Sequence, residues 1–429
     1  MQLSVRLTAA RATRSSAAVP VPALIKRNTL LLAMTQAFVG MGTQLVPTFG
    51  AIMIERLLGS LALAGLGTSL LYLARMLVAF PIGWIMDRCG RKAGLLLGLL
   101  LSMLGAVAVG VAMAWASFSL FLAGLLVFGL GVGAGLQLRI AAADMYLPER
   151  RAEGLGYVLT GSVVGALGGP VLIGAAQQSA LWLRVEPTAL AWLLLPLVLG
   201  PSLALVFLIH PDPKAIAANL AQYYPGYQPV AISQAPMLAR GASLRVWLRH
   251  GRLRLAFLAT FAAHGSMAMM MALTPLAMAH QGQGLTMISL AVALHVVGMY
   301  GLSLPLGRMA DQVGRGSTIV VGLIGVAVGA VLVPLTPDYW IATGGLALVG
   351  VGWSCVNVAV TALVADVVPP IERARAIGVV DSFGGLASLA LPLAGGALAQ
   401  SVGFSALAIL AIVLVLVPLL VGMSGVHRP

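Results

Sequence analysis

Long apolar runs separated by short charged or turn-rich breaks make up the hydrophobic pattern of this chain. A helix needs about 20 apolar residues to cross a bilayer, whereas transmembrane strands alternate over segments of about ten. The runs have the length of spanning helices and do not alternate, so they predict transmembrane helices. Twelve spans are predicted, at roughly 29–54, 62–85, 93–115, 119–143, 154–178, 189–209, 255–279, 286–306, 318–336, 340–365, 376–399 and 402–424.

The composition agrees with a membrane protein and excludes most soluble classes. Of the 429 residues, 60% are hydrophobic and 9% are charged, whereas a soluble domain has about 25% charged residues. The net charge of +13 would suggest nucleic acid in a soluble protein. Here the basic residues lie in loops between apolar runs, so we expect no nucleic-acid partner. Cys89 and Cys355 form no disulfide framework.

The distribution of Lys and Arg predicts how the spans are oriented. Basic residues concentrate in the N-terminal tail and in alternate loops, while the loops on the other side hold only Arg56 and Arg184. Loops rich in Lys and Arg stay in the cytoplasm. We therefore expect a multi-pass protein of the bacterial inner membrane, with both termini cytoplasmic.

The chain divides into two halves that repeat each other. We expect a disordered basic tail over 1–27, a six-helix bundle over 28–209, a cytoplasmic linker over 210–254 and a second bundle over 255–429. Residues recur between the halves at constant spacing: Pro81, Gly83, Asp87, Gly90 and Arg91 match Pro305, Gly307, Asp311, Gly314 and Arg315. Two parallel six-span halves are the repeat architecture of one transporter class.

One motif lies between the second and third spans and reads Gly83-x-x-x-Asp87-Arg88-x-Gly90-Arg91-Lys92. Gly90 suits a tight turn because glycine adopts positive φ. An acid is favoured at a helix N-terminus, and the three cations can pair with acids on neighbouring helix ends. A merely basic inner loop is the simpler interpretation, but the motif recurs at the matching place in the second half.

With this motif the chain resembles the major facilitator superfamily, over about residues 28 to 424. The resemblance implies an all-α membrane protein with twelve helices in two six-helix bundles, related by a pseudo-two-fold axis and working by alternating access. It also implies that the motif gates the inner side, with Asp144 as a partner for the loop arginines. The second-half copy would be Gly307, Asp311, Gly314, Arg315 and Asp366, weakened because Gln312 and Gly316 replace basic residues.

The fifth span carries a second signature. Gly156, Gly165, Gly169, Pro170 and Gly174 resemble the antiporter motif of the drug-exporting members, although Ile173 replaces one glycine. Glycines one turn apart let helices touch, and proline bends a helix. Ordinary packing of small residues in a membrane helix would explain the same pattern.

Charged residues within spans are costly, so they should face other helices or a cavity. Asp381, Arg139 and Arg75 lie on faces of small or polar residues, and an Arg139–Asp381 pair would bridge the halves when the inner side is closed. The family's usual acid in the first helix and outer arginine in the fourth are missing. We therefore expect Asp381, or else Asp144 or His264, to carry the proton. A fixed structural pair is an equally open alternative.

Two further faces are candidates for substrate contact. Gln36, Thr43 and Gln44 form an uncharged polar stripe in the first span, and the resemblance places this span beside the cavity. The seventh span carries His264, Met267 and Met271 on one face, and methionine suits varied apolar ligands. Lipid-facing methionines with a structural histidine remain the alternative.

These features together predict a secondary active transporter that exports small apolar or amphipathic molecules in exchange for protons. Two alternatives stay open: a proton-coupled importer of an organic anion, suited by Arg75 and Arg139, and a receptor that kept the fold without transport. We find no nucleophile–base set, metal-ligand spacing or phosphate loop, so we expect no enzyme, no metal and no cofactor besides the proton gradient. The expected partners are a small-molecule substrate and the lipid bilayer.

Overall fold

The computed structural model describes residues 20–225, 227, 247, 250–335 and 337–425. All regular structure in these ranges is helical, as the apolar runs predict. The helices are α1 (Ala23–Thr43), α2 (Leu45–Leu58), α3 (Leu66–Cys89), α4 (Arg91–Ala114), α5 (Phe118–Gly135), α6 (Leu138–Asp144), α7 (Arg151–Leu183), α8 (Pro187–Leu208), α9 (Pro213–Ala218), α10 (Leu220–Tyr223), α11 (Gly251–His280), α12 (Leu285–Gly301), α13 (Ser303–Val313), α14 (Arg315–Leu335), α15 (Tyr339–Val367), α16 (Pro370–Val402) and α17 (Ser405–Gly425).

These helices make up twelve spans. Within the described ranges, ten helical segments are long and apolar enough to cross a membrane, and α1 with α2, like α5 with α6, forms one segment. The pair α12 and α13 qualifies as one more span with a bend of 45° between them. The shorter apolar helix α17 completes the set. The predicted twelve-helix membrane fold is therefore confirmed.

Each half of the chain has its own apolar core. Buried aromatic side chains such as Phe49, Phe128 and Trp192 belong to the first core, whereas Phe257 and Trp353 belong to the second. In the first half, α4 and α5 approach each other closely at small residues. An added Cβ at Gly105 would lie 2.2 Å from the backbone nitrogen of Phe128.

The second half repeats this close packing in α14 and α15. There an added Cβ at Gly329 would lie 2.5 Å from the carbonyl oxygen of Gly345. Small residues let membrane helices approach each other closely, since lipid offers no competing hydrophobic drive. The duplicated sequence thus builds the same helix pair twice.

The two ends of the helix bundle differ in the turns that they hold. The motif face is the end that holds the α3–α4 turn at Gly90 and the α13–α14 turn at Gly314, and the far face is the opposite end. Both glycines have positive φ, +96° and +102°. Non-glycine residues rarely adopt such values, so glycine permits each helix to end and the next to begin at once.

Several boundaries differ from the predicted ones. Helix α1 begins at Ala23, so Lys26 and Arg27 lie in its first turns and not in the predicted tail. Helix α11 likewise begins at Gly251, inside the predicted linker. Helices extend past the apolar runs because their ends lie in water, where charged residues are tolerated. Residues 1–19 of the tail, and residues 226, 228–246 and 248–249 of the linker, lie outside the described residues.

Candidate functional site

The first-half motif forms a cluster that ties three helices together at the motif face. The Arg91 side chain donates from Nε to Asp144 Oδ2 at 2.8 Å and from Nη1 to Asp87 Oδ1 at 3.1 Å. Arg91 opens α4, Asp87 lies in the last turn of α3, and Asp144 ends α6. Arg88 instead lies over the ring of Trp84, with the guanidinium carbon 4.1 Å from the ring centroid.

A residue that the sequence analysis did not single out completes this cluster. Asp212, just past α8, accepts hydrogen bonds from the backbone N–H groups of Arg91 and Lys92, each at 3.0 Å. It thereby caps α4, whose first N–H groups have no partner within the helix. Asp212 also caps its own short helix through Lys214 N, at 2.8 Å. In the sequence, an Asp directly before Pro213 indicates the cap of the helix that begins there. It gives no sign that the same side chain also caps the distant helix α4.

The end of α8 and the chain that follows it are fastened along the motif face, and we call residues 207–224 the brace. Lys92 Nζ donates to the carbonyl oxygen of Phe207, and Arg27 donates to that of Leu208. At the other end, the buried hydroxyl of Tyr224 donates to Met145 O at 3.2 Å. Burial raises the pKa of this phenol above its ordinary value, which already lies well above neutral pH.

The second-half motif repeats the ion pairs without a comparable cover. Arg315 binds Asp311 through Nη1 and Asp366 through Nε, the latter at 3.2 Å. Among the described residues, nothing lies within 4 Å of a Cβ added at Gly314, whereas the same atom at Gly90 would lie 2.6 Å from Asp212 Oδ2. A Cβ added at Gly307 would have Val358 Cγ1, at 3.8 Å, as its one described neighbour within 4 Å.

Gly83 of the motif makes no close helix contact in this conformation. A Cβ added there would meet no described atom within 4 Å. The neighbouring side chains Phe80 and Trp84 are also exposed. This part of α3 is therefore without close packing at Gly83 in the present conformation.

A cavity of about 150 Å³ lies between the two halves. The cavity is lined by all five of the substrate-contact candidates and by both intramembrane arginines, namely Gln36, Thr43, Gln44, Met267, Met271, Arg75 and Arg139. Tyr72 and Tyr300, which the sequence analysis did not select, also line it. Isolated tyrosines give no sequence signal for such a site, because aromatic residues in a span are usually lipid-facing or core.

Two of the candidate charge-carrying residues lie away from this cavity. His264 packs edge-on against Trp353, with ring centroids 5.1 Å apart, and its Nδ1 lies 3.1 Å from Thr260 O. Asp381 lines a separate, very small cavity beside Thr260 and Asn357. Arg139 lies close enough to Asp381 to act on it electrostatically, but the described ion pairs do not include them.

The glycines of the fifth-span signature hold the polar stripe of the first span in place. A Cβ at Gly165 would lie 2.3 Å from Ala37 O, so α7 touches the α1 backbone there. A Cβ at Gly169 would lie 3.1 Å from Gln44 Cγ. Gly174 approaches Thr286 of the other half, at 3.5 Å, and Pro170 lies within α7 between these contacts. Gly156, in contrast, has no described neighbour within 4 Å.

The halves meet at the far face. His280 Nε2 lies 2.8 Å from Glu55 Oε2, and the backbone N–H of Ala62 donates to Gln400 Oε1 at 2.6 Å. Thr286 N also donates to Gln177 Oε1, at 3.2 Å. All hydrogen bonds between described residues that we find across the halves belong to this face, so the far face is closed.

Backbone contacts tighten the closed far face. A Cβ at Gly65 would lie 1.9 Å from the carbonyl oxygen of Pro392, and one at Gly396 would lie 2.6 Å from Ala62 O. Towards the motif face, the cavity residues Leu136 and Arg139 are exposed. The cavity is thus sealed on one side and reaches towards the motif face on the other.

Comparisons with known proteins agree with this architecture. The sequence profile of the Major Facilitator Superfamily matches residues 32–248 and 256–428. The chain is 29% identical to the uncharacterized MFS-type transporter YddS of Bacillus subtilis, over 88% of this chain and 85% of that protein. It is 26% identical to the riboflavin transporter RfnT of Brucella anthropi, over 92% of this chain and 95% of that protein.

A solved structure is similar in fold. The inward-facing, unoccupied crystal structure of a bacterial homologue of the human lysosomal transporter Spinster superposes with a TM-score of 0.68 at 16% identity. The match covers 94% of this chain and 97% of that one.

Proposed function

This chain belongs to the major facilitator superfamily, and from that membership we propose that it exports small amphipathic molecules in exchange for protons. The observation that carries the proposal is a cavity between two halves that is closed at one face. Alternating access requires a central site that each face exposes in turn. The far-face contacts described above are those that would break when the other state forms.

The two motif clusters are the proposed gate of the opposite face. In this account Asp87, Arg91 and Asp144 hold the first half rigid while it approaches the second half. Arg315, Asp311 and Asp366 do the same in the second half. The motif face is cytoplasmic in this proposal, because its loops carry most of the Lys and Arg. The bacterial relatives support an inner-membrane location.

Proton coupling is assigned to Asp381. A carboxylate inside a span is costly when charged and unpaired, so its protonation depends on whether a cation stands beside it. The absence of an Arg139–Asp381 ion pair among the described contacts fits the state with the far face closed. A cycle that makes and breaks this pairing would bind and release a proton on opposite sides of the membrane. The fifth-span signature supports exchange over co-transport.

The lining supports an amphipathic substrate. Met267, Met271 and two tyrosines offer apolar and polarizable surface, while Gln36 and Gln44 offer amide groups. The name of RfnT gives riboflavin as the substrate of that relative, and riboflavin is a flat molecule with one apolar edge. Import of an organic anion is a second candidate, favoured by the two arginines in the cavity.

The proposal predicts accumulation in proteoliposomes with an acidic lumen, since protons leaving the lumen would drive substrate inwards. Tritiated riboflavin is the first probe, followed by lipophilic cations, neutral aromatics and aromatic carboxylates. We expect Asp381→Asn to abolish this pH-driven accumulation while sparing downhill exchange. Ser382→Ala, on the next residue of the same helix, is the matched control and should accumulate as the wild type does.

Each other result has a defined meaning. If accumulation needs an alkaline lumen instead, the protein imports its substrate together with protons, and the proposed export is wrong. Undiminished accumulation in Asp381→Asn would move the proton site to Asp144 or His264. No accumulation of any probe under either gradient would contradict the proposed transport.

A further inference from the structure

The charges that line the cavity are unbalanced. Arg75 and Arg139 both contribute to the wall, and no described lining residue is an Asp or Glu. Both guanidinium groups also lie within electrostatic range of the Tyr300 hydroxyl, which lines the same cavity. Two cations that face one small volume create a strongly positive site.

The Arg75 side chain is held in place, but one of its hydrogen-bond donors has no described partner. Its Nε atom is buried and makes no hydrogen bond within the described part of the chain. Its guanidinium carbon lies 5.1 Å from the centroid of the Tyr72 ring, which fixes the side chain from one side. The neighbouring α5 backbone packs against it, since a Cβ at Gly133 would lie 3.0 Å from Arg75 Cα. Buried polar groups without partners are uncommon in proteins.

The acids of the protein do not supply the missing partner. Each ion pair found among the described residues involves groups at or near helix ends, such as Arg91 with Asp144 or Arg56 with Glu186. Asp381 acts on Arg139 from a neighbouring small cavity, and no described ion pair includes Arg75. A charge within a membrane protein that lacks an internal partner commonly marks the path of a substrate.

We propose that the cavity binds an amphipathic organic anion, whose carboxylate or similar oxyanion group lies at Arg75 and Arg139. Guanidinium groups donate planar, charge-assisted hydrogen bonds that suit such an oxyanion. The apolar body of the substrate would lie against Tyr72, Tyr300 and the two methionines. This inference rests on the proposed function for the role of the cavity, but it holds for either direction of transport.

The experiment compares two probes of nearly the same shape. Isothermal titration of the purified full chain in lipid nanodiscs measures binding of 2-naphthoate and of its neutral amide, 2-naphthamide. We expect naphthoate to bind at least about tenfold more tightly, the difference that one charge-assisted hydrogen bond supplies. Equal binding of the two probes, or binding of neither, would overturn the inference.

Variants locate the effect. Arg75→Gln and Arg139→Gln should each weaken naphthoate binding roughly tenfold and leave naphthamide unchanged. Arg75→Lys keeps the charge and should restore part of the loss. Arg56→Gln, in an ion pair at the far face, is the matched control and should bind naphthoate as the wild type does. Thermal melting in detergent checks that each variant is folded.

Transport separates this inference from the proposed function. Selective naphthoate binding without accumulation in proteoliposomes would contradict transport and leave the anion site standing. Accumulation of neutral probes together with equal binding of the two naphthalene compounds would support transport and contradict the anion site.

Discussion

The two copies of the loop motif make the same ion pairs but differ in what covers them. In the first half the side chain of Asp144, which binds Arg91, is 22% exposed, whereas that of Asp366, which binds Arg315, is 54% exposed. The brace lies across the first copy and supplies Asp212 as a cap. Duplication of the sequence therefore explains the ion pairs, while the brace makes the halves unequal.

One sequence difference between the copies now has a structural reason. Lys92 follows Arg91 and donates to the carbonyl oxygen of Phe207 in the brace. The second copy has Gly316 at this place, and a Cβ added there would meet no described atom within 4 Å. The extra cation is present where the brace offers an acceptor.

The largest effect is expected from the first-half gate acid. Asp87→Asn removes the negative charge that Arg91 binds, and we expect the variant to fold but to lose most of its transport. Asp311→Asn should lose less, because no described segment fastens the second cluster as the brace fastens the first through Asp212 and Phe207. Initial rates in proteoliposomes measure both. Wild-type transport rates for Asp87→Asn would contradict the assignment of Asp87 to the gate of the motif face.

A smaller effect is expected on stability from the two turn glycines. Gly90→Ala and Gly314→Ala both force a side chain into positive φ, at a cost of about 1–3 kcal/mol. At Gly90 the added methyl group would also displace Asp212, so this variant should melt at the lower temperature. Thermal unfolding in detergent makes the comparison. Equal melting temperatures would show that the brace adds nothing at the first copy.

The smallest effect is expected from the cap itself. Asp212→Ala should destabilise the protein by about 1 kcal/mol, the usual cost of a lost helix cap, and should also slow transport. Asp338→Ala is the control, since Asp338 caps α15 at the far face through Trp340 N and Ile341 N. It should cost similar stability. If both variants slow transport alike, the cap at the motif face has no special role.

Local patterns in the sequence were enough to predict the spans, the repeat and the ion-pair residues of both clusters. Apolar run length fixes a spanning helix, and the recurring Asp, Gly and Arg identify equivalent turns. The bend between α12 and α13 was not predicted, although Gly301 and Pro305 lie beside it. Glycine and proline occur in many unbent membrane helices, so they signal a break only weakly.

The contacts between distant segments were beyond the sequence. Asp212 caps a helix far away in the chain, and its own neighbourhood explains it fully as the cap of α9. Glu55 and His280 are ordinary polar residues at helix ends, and only the tertiary arrangement brings them together. The polar stripe of the first span could be found in the sequence because its polar residues share one face of the helix. Tyr72 and Tyr300 belong to no such pattern.

The backbone contact between the halves at the far face has a consequence for how this protein can change over evolution. At Gly65 and Gly396 the halves touch through main-chain atoms, so the fit depends on the lack of a side chain and hardly on the identity of neighbouring residues. A side chain added at either of these two positions should therefore disturb the closure more than a change of a neighbouring side chain. At these two glycines the contact orders no side chain of its own, so this part of the closure forms and releases without a loss of rotamer entropy.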